Sequence, residues 1–154
     1  MKIRRVLPII FALFIVVLYF VLTPYQNIKD DNLLLSELST AVSRLRNGEM
    51  PVLNFLEITQ FSWDRVYFFE PYTHPSRIDD ELGFFWLESR FTTIESSDNV
   101  TLLVFVSNRH VVQYLEFPRS LGDFANLDNN SGYSAESAKF IINEKGQMIW
   151  VGDK

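Results

Sequence analysis

The chain has 154 residues, which allows one domain with a substantial core and requires no cofactor for folding. It contains no cysteine, so disulfide bridges, a thiolate nucleophile and zinc–cysteine sites are excluded, and an exported domain of this kind is expected to be bacterial. Three of the 14 basic residues precede position 6, and the other 11 are set against 19 acidic groups. The resulting net charge of −8 argues against nucleic acid as a partner.

A hydrophobic segment follows the basic start. Residues 6–23, VLPIIFALFIVVLYFVLT, carry no charge. As a helix rising about 1.5 Å per residue they would extend roughly 27 Å, close to the thickness of the hydrocarbon layer of a membrane. Because Lys2, Arg4 and Arg5 precede the segment, the positive-inside rule predicts a single-pass cell-membrane protein with a cytoplasmic stub at 1–5 and an extracytoplasmic C-terminus.

A cleaved secretory signal would share the basic start and the apolar middle. Signal peptidase requires small residues just before the cleavage point, and the exit sequence YFVLTPYQN has none. The sequence therefore favours a retained signal anchor, a transmembrane helix at 6–23. A connector with an amphipathic helix is then predicted at 24–50 and an extracytoplasmic α+β domain at 51–154.

The connector ends in the amphipathic helix. Asp31 or Asn32 can cap a helix that runs to about Arg46, and Gly48 and Pro51 stop it. One side of this helix carries an apolar stripe formed by Leu34, Leu38, Ala41 or Val42, and Leu45. Such a stripe packs either on its own domain, which is the commoner arrangement, or against a partner helix.

After this helix the pattern changes to short apolar runs rich in β-branched and aromatic residues. Seven runs are predicted to be strands: VLNFLEI, WDRVYFFE, FFWLESRFTTI, TLLVFVS, HVVQYLEF, AKFIIN and QMIWV. The third to fifth runs are expected to form an antiparallel meander with Asn108-Arg109 as one turn, and Glu144-Lys145-Gly146 joins the last two. The predicted fold class is α+β: a mostly antiparallel sheet of five to seven strands with one or two packed helices.

A short helix interrupts the strands. Thr73 is predicted to cap it, and Pro75 suits its first turn. Ile78 and Leu82 lie one turn apart on its buried side, and Gly83 ends it. A helix of about eight residues is not stable alone, so it must dock on the sheet.

The densest local signal is the run FSWDRVYFFEPYT, from Phe61 to Thr73. With the helix that follows, it resembles a group of uncharacterised bacterial envelope proteins that carry a Trp-Asp strand, a Pro-Tyr-Thr turn and a short helix closing on Leu-Gly. The resemblance covers about residues 60–90. It implies an exported, bacterial domain and carries no activity over to this chain.

The strand in this run is predicted to be central because it is apolar on both faces. Its alternation places Trp63, Arg65, Tyr67 and Phe69 on one face and Asp64, Val66, Phe68 and Glu70 on the other. Asp64 is interpreted as a structural carboxylate that accepts backbone N–H groups or forms an ion pair. The alternative is a role in binding.

The junction between this strand and the helix holds Tyr72, Thr73 and His74 between two prolines. A helix N-terminus can bind an anion, and His74 there could be a pH-sensitive contact. The simpler interpretation is that Thr73 caps the helix and His74 is solvated. With Trp63 and Asp64, these three are the candidate binding or structural residues.

Catalytic and metal-binding motifs are absent from the sequence. It has no nucleophile motif and no glycine-rich phosphate loop, and its two histidines lack a metal-ligand spacing. Neither a metal nor a cofactor is expected, and the chain is interpreted as a non-enzyme. The enzymatic alternative is a hydrolase that draws a carboxylate pair from Asp64, Glu70 and Glu88.

The leading functional hypothesis is a non-enzymatic protein-interaction module in a bacterial envelope. It would bind another envelope protein through a sheet edge, its aromatic surface or the helix at 34–45. The alternative is a small-ligand or envelope-stress sensor in which the loop at 118–134 orders on binding. That loop has few apolar residues and is the predicted mobile segment.

Overall fold

A computed structural model describes residues 14–15, 32–127 and 130–152. Leu34–Lys154 form one compact unit, and Met1–Leu33 form another, most of which lies outside the described residues. The larger unit combines helices with antiparallel strands, as expected of the α+β class. Its strands form two sheets, of three and four strands, where one sheet was predicted.

The prediction of a membrane anchor is contradicted. Among the described residues, no helix is both long enough and apolar enough to cross a membrane. The longest described helix, at 32–46, is amphipathic and has its apolar stripe in the core of the domain. The predicted transmembrane helix, signal anchor and single-pass location are therefore wrong for the described chain; apart from Phe14 and Ile15, the segment 6–23 lies outside it.

The helices and strands are short. The helical segments are α1 at 32–46, the single turn α2 at Phe55–Ile58, α3 at Pro75–Leu82 and a 3₁₀-helix at Leu87–Phe91. The strands are β1 Leu53–Asn54, β2 Arg65–Phe69, β3 Val100–Ser107, β4 His110–Pro118, β5 Tyr133–Ser134, β6 Lys139–Ile142 and β7 Met148–Trp150.

The four-stranded sheet has the order β4-β3-β2-β5, with all neighbours antiparallel. Strands β2 and β3 are therefore internal. Residues 101–106 of β3 are all buried, so both faces of the sheet are covered. The prediction that the strand WDRVYFFE is central is confirmed, although it begins only at Arg65.

One face of this sheet shares a hydrophobic core with α1 and with the three-stranded sheet β1-β6-β7. The stripe of α1 belongs to this core, so the helix packs on its own domain. Phe55 lies at the centre, where its ring centroid is within 6.0 Å of those of Phe68, Phe105, Phe124 and Phe140. Aromatic rings at such separations stabilise a core beyond the area they bury.

The opposite face of the sheet is covered by α3 and by the segment that follows it. Ile78 and Leu82 of α3 are buried there, as predicted, with Trp86 and Ile94 from the next segment. They pack on Val104 and neighbouring residues of β2 and β3. A short helix and an irregular segment therefore form the whole cover that the described residues provide on this face.

Two of the predicted strands are wrong. The run at 84–94 contains the 3₁₀-helix, because Trp86 and Ser89 point inward at a spacing of three, a helical period and not an alternating one. The run at 52–58 pairs for two residues only, because the side chain of Asn54 accepts the N–H of Leu56 at 3.3 Å and starts α2. The predicted three-stranded meander is therefore wrong: its last two strands pair as β3 and β4, and the other neighbour of β3 is β2.

Both predicted hairpin turns are confirmed. Asn108 and Arg109 join β3 to β4, and their φ angles of 49° and 63° are those of a tight primed turn. The turn between β6 and β7 contains Gly146 at φ 78°. Helix α3 ends as predicted at Gly83, whose φ of 75° is in the left-handed region.

The predicted cap of α3 is wrong. The hydroxyl of Thr73 donates backward to the carbonyl oxygen of Glu70 at 2.7 Å, so it is not available to the helix. His74 is the N-cap, and its Nδ1 accepts the N–H of Ser76 at 3.2 Å. The helix is therefore capped by the imidazole nitrogen of His74 and not by the hydroxyl of Thr73.

The loop at 118–134 is partly paired where the structure describes it. The backbone of Asp123 forms an isolated parallel β-bridge with Gln147, and β5 pairs antiparallel with β2 at the edge of the sheet. Residues 128–129 lie outside the described chain. The predicted mobility of this loop stays a prediction.

We expect Phe55→Ala to lower the free energy of unfolding by about 3–5 kcal/mol, because it removes the ring at the centre of the aromatic core. The matched control is Leu56→Ala in the same helical turn, where the side chain is 47% exposed. That change should cost about 0.5 kcal/mol. Chemical denaturation measures both values, and equal losses would contradict this placement of Phe55.

Candidate functional site

The five candidate residues from the sequence lie at opposite ends of β2. Trp63 and Asp64 precede the strand, and Tyr72, Thr73 and His74 follow it. The five residues of β2 extend roughly 16 Å at about 3.3 Å per residue. The structure therefore forms two separate groups and does not bring the five residues into one site.

Trp63 is part of the core. Its side chain is buried, its ring lies 5.3 Å from that of Phe105, and its indole N–H donates to the hydroxyl of Thr59 at 2.8 Å. It shares this core with Val66, so the predicted alternation of faces does not extend back to residue 63.

Asp64 stabilises the β3–β4 turn. Its carboxylate accepts the backbone N–H of Asn108 at 2.8 Å, and its own N–H donates to the carbonyl of Val106 at 2.8 Å. Asn108 and Arg109 are strained by their positive φ angles, so this bond holds a turn that the chain would otherwise leave easily. The contact that the structure shows for this carboxylate is therefore a structural one, to a backbone N–H of the turn.

Tyr72 and Thr73 form a tight turn at the other end of β2. Tyr72 has a φ of 64°, its N–H donates to the carbonyl of Ile94 at 2.8 Å, and its side chain is exposed. Thr73 is buried. The turn therefore ties the end of β2 to the segment around Ile94 and presents one aromatic ring to solvent.

The two ring nitrogens of His74 both have neighbours. Besides the cap bond to the Ser76 N–H, Nδ1 lies 2.8 Å from the Ser76 hydroxyl, and Nε2 lies 3.5 Å from a carboxylate oxygen of Glu95. With one N–H of the helix terminus already bonded and a carboxylate beside it, this terminus is poorly suited to bind an anion.

The carboxylates proposed for catalysis do not converge. A carboxylate oxygen of Glu70 lies 3.2 Å from the guanidinium of Arg77. The carboxylate of Asp64 bonds to the β3–β4 turn, and Glu88 is on the exposed 3₁₀-helix. Within 14–15, 32–127 and 130–152, no three His, Cys, Asp or Glu side chains are grouped so that they could hold a metal ion.

A different feature stands out on the segment after α3. Phe85, Leu87 and Phe91 are 68%, 54% and 78% exposed. We call these three side chains the 85–91 surface. In a 3₁₀-helix, which rises about 2 Å and turns about 120° per residue, Leu87 and Phe91 are separated by about 8 Å along the axis and by about 120° around it. Three large apolar side chains therefore face solvent within seven consecutive residues.

The 85–91 surface stands on an anchored backbone. The Trp86 ring is buried and lies 5.1 Å from the ring of Tyr114 on β4, and the Trp86 N–H donates to the carboxylate of Asp79 at 3.0 Å. Arg90 forms a bidentate ion pair with the same carboxylate and donates a hydrogen bond to the Trp86 carbonyl at 2.7 Å. Residues that alternate with the exposed ones thus fix the segment to α3 and to the sheet.

Arg90 also links this anchor to the surface. Its guanidinium carbon lies 4.5 Å from the centre of the Phe85 ring, a cation–π geometry. Hydrogen bonds from Arg90 lower the pKa of Asp79 below its ordinary value of 3.8. The ionised carboxylate is therefore the form that holds the segment in place.

The neighbourhood of the 85–91 surface is acidic. Residues 70–98 contain seven carboxylates and two guanidinium groups. Arg77 lies between Glu70 and Glu81, and Arg90 pairs with Asp79. Asp80 and Glu88 have no ion pair within the described residues, so the segment keeps a net negative charge beside its apolar side chains.

No family model, curated protein or solved structure matches this chain. The resemblance to bacterial envelope proteins therefore stays a prediction, and so does the expected envelope partner.

Sequence reasoning missed the 85–91 surface because it treated residues 84–94 as a strand. A signal was present: the polar residues Glu88, Ser89 and Arg90 follow four apolar ones, which is not the alternation of a strand. The sequence could not show that Trp86 alone among those four apolar residues would be buried.

We expect Asp79→Asn to destabilise the fold at pH 7, because it removes the ion pair with Arg90. A lowered folded-state pKa stabilises the fold above the ordinary value of 3.8, and this contribution is lost as the pH falls through the lower folded-state value. The difference in unfolding free energy between wild type and variant should therefore shrink as the pH falls below 3.8.

Denaturant titrations at pH 7 and at successively lower pH measure this difference. Asp80→Asn is the matched control, because Asp80 is the next residue of α3 and has no ion pair within the described chain. A gap between wild type and Asp79→Asn that does not change with pH would show that the charge of Asp79 is not what anchors the segment.

Proposed function

We propose that this domain is a non-enzymatic protein-interaction module and that the 85–91 surface is its binding surface. The observation that carries the proposal is the exposure of Phe85, Leu87 and Phe91 on one short, anchored segment. Single exposed apolar residues are ordinary on protein surfaces, whereas a group of large ones is typical of an interface.

The anchoring of the segment favours binding. Phe85 is held against Arg90, and the backbone is fixed by Trp86 and Asp79, so little conformational freedom remains to be lost on association. Phenylalanine is enriched in the buried centres of interfaces because it contributes a large apolar area with few rotatable bonds.

Charge complementarity defines the chemistry of the partner. Glu88 lies between Leu87 and Phe91 in the 3₁₀-helix and has no ion pair within the described chain, and Asp80 on α3 is a second carboxylate without one. A partner that covers Phe85, Leu87 and Phe91 must also meet this negative charge. The proposed partner is therefore a protein segment that combines apolar side chains with lysine or arginine.

Photo-crosslinking in living cells tests the binding surface. Benzoylphenylalanine replaces Phe91 in the full-length chain, with Ile149 on β7 as the control position because it is also an exposed apolar residue. We expect residue 91 to give an adduct with one protein through a basic, apolar segment. No adduct above the level obtained from residue 149 would contradict the proposal.

The joint variant Phe85→Ser, Leu87→Ser and Phe91→Ser should weaken binding of that purified partner at least about 30-fold, because hot-spot side chains contribute most of the affinity of an interface. The free energy of unfolding should change little, since all three side chains are exposed. The control pair Val112→Ser and Ile149→Ser removes exposed apolar groups elsewhere and should leave the affinity unchanged.

A further inference from the structure

A second feature, away from the 85–91 surface, is a polar cavity of about 800 Å³. It is lined by the end of α1, the start of β3, the residues after β4 and the β6–β7 turn. The charged and hydroxyl side chains in its lining are Arg46, Asp98, Arg119, Ser120, Asp123 and Lys145. Its volume lies within the range of roughly 300–1,000 Å³ for small-molecule sites.

Arg119 is the fixed group of this cavity. It holds the Asp123 carboxylate through two parallel bonds of 3.0 and 2.9 Å, and a third N–H donates to the carbonyl of Asp98 at 2.8 Å. The hydrogen bonds between Arg119 and Asp123 raise the pKa of Arg119 and lower that of Asp123. A guanidinium has five N–H donors, so two of them remain for a further acceptor.

Two other cations line the cavity without a carboxylate partner in the described chain. Arg46 donates one hydrogen bond, to the carbonyl of Leu121 at 2.6 Å, and Lys145 forms no ion pair within the described residues. Most of the N–H donors on these two side chains are therefore available to a ligand.

The lining of the cavity is positively charged, whereas the domain as a whole is negatively charged. The described chain has nine basic and 15 acidic residues, yet three of the nine basic ones line this single cavity. Asp123 neutralises Arg119, and Asp98 offsets one of Arg46 and Lys145. A net positive charge remains in an otherwise acidic domain, which attracts an anion to this place.

We propose that this cavity binds a small, polar organic anion through its phosphate or carboxylate group. Arg46 and Lys145 bind the anionic group, with the free N–H groups of Arg119 beside them. The volume exceeds the needs of a bare oxyanion. Asp98 and Ser120 can bond to hydroxyl groups on the rest of the ligand, so a sugar-sized molecule fits the donors and acceptors present.

NMR titration of the full-length chain with four probes tests this site. Glucose 6-phosphate and glucuronate carry the two anionic groups, inorganic phosphate carries the anion alone, and glucose is the neutral control. We expect saturable shifts of the Ser120 and Gly146 amide signals with at least one of the two sugar anions, and none with glucose. The stronger of the two identifies the anionic group. The proposal would be overturned by equal shifts with glucose or by a lack of saturation with either sugar anion. It would also be overturned if inorganic phosphate bound as tightly as both sugar anions.

Substitutions test whether binding depends on the residues that line the cavity or only on a general attraction to positive charge. Lys145→Gln should weaken binding of the sugar anion about tenfold, and Arg46→Gln should do the same, since each removes one charge-assisted hydrogen bond. Lys139→Gln removes a positive charge on β6 outside the cavity and should leave binding unchanged. An equal loss in Lys139→Gln, or no loss in Lys145→Gln, would overturn the assignment.

Discussion

The four-stranded sheet is apolar on both faces, and the rest of the domain is arranged to cover them. On one face, α1, the small sheet and the ring of Phe55 form a thick aromatic core. On the other, the cover is α3 and one irregular segment that inserts Trp86 and leaves its neighbours outside. Burying a sheet face with so short a segment keeps Phe85 and Leu87 in solvent. The 85–91 surface is thus a consequence of how the second face is covered.

Much of the larger unit could be predicted from local pattern. The β3–β4 and β6–β7 hairpins, the stripe of α1 and the end of α3 at Gly83 all depend on residues close together in the chain. The division into two sheets could not be predicted in this way, because β1 pairs with β6 across more than 80 residues. The predicted membrane anchor depended on the hydropathy of residues 6–23, on the basic residues before them and on a missing cleavage signature, and the described chain contains no helix able to cross a membrane.

The candidate sites required the tertiary structure. Trp63, Asp64 and His74 were candidates because of their residue types, but Trp63 lies in the core, Asp64 bonds to a turn and His74 caps a helix. The 85–91 surface and the polar cavity depend instead on which side chains are left exposed or brought together from distant elements. Arg46 and Lys145 are 99 positions apart, and no pattern in the sequence places them at one cavity.

Carbene footprinting of the full-length chain tests most directly whether the 85–91 surface is covered by a partner. The reagent labels exposed side chains, including apolar ones, both in purified protein and inside living cells. We predict that Phe85, Leu87 and Phe91 are labelled in the purified protein and protected in cells, while Val112 and Ile149 are labelled equally in both. Equal labelling of Phe85, Leu87 and Phe91 in both settings would contradict a role for this surface in binding.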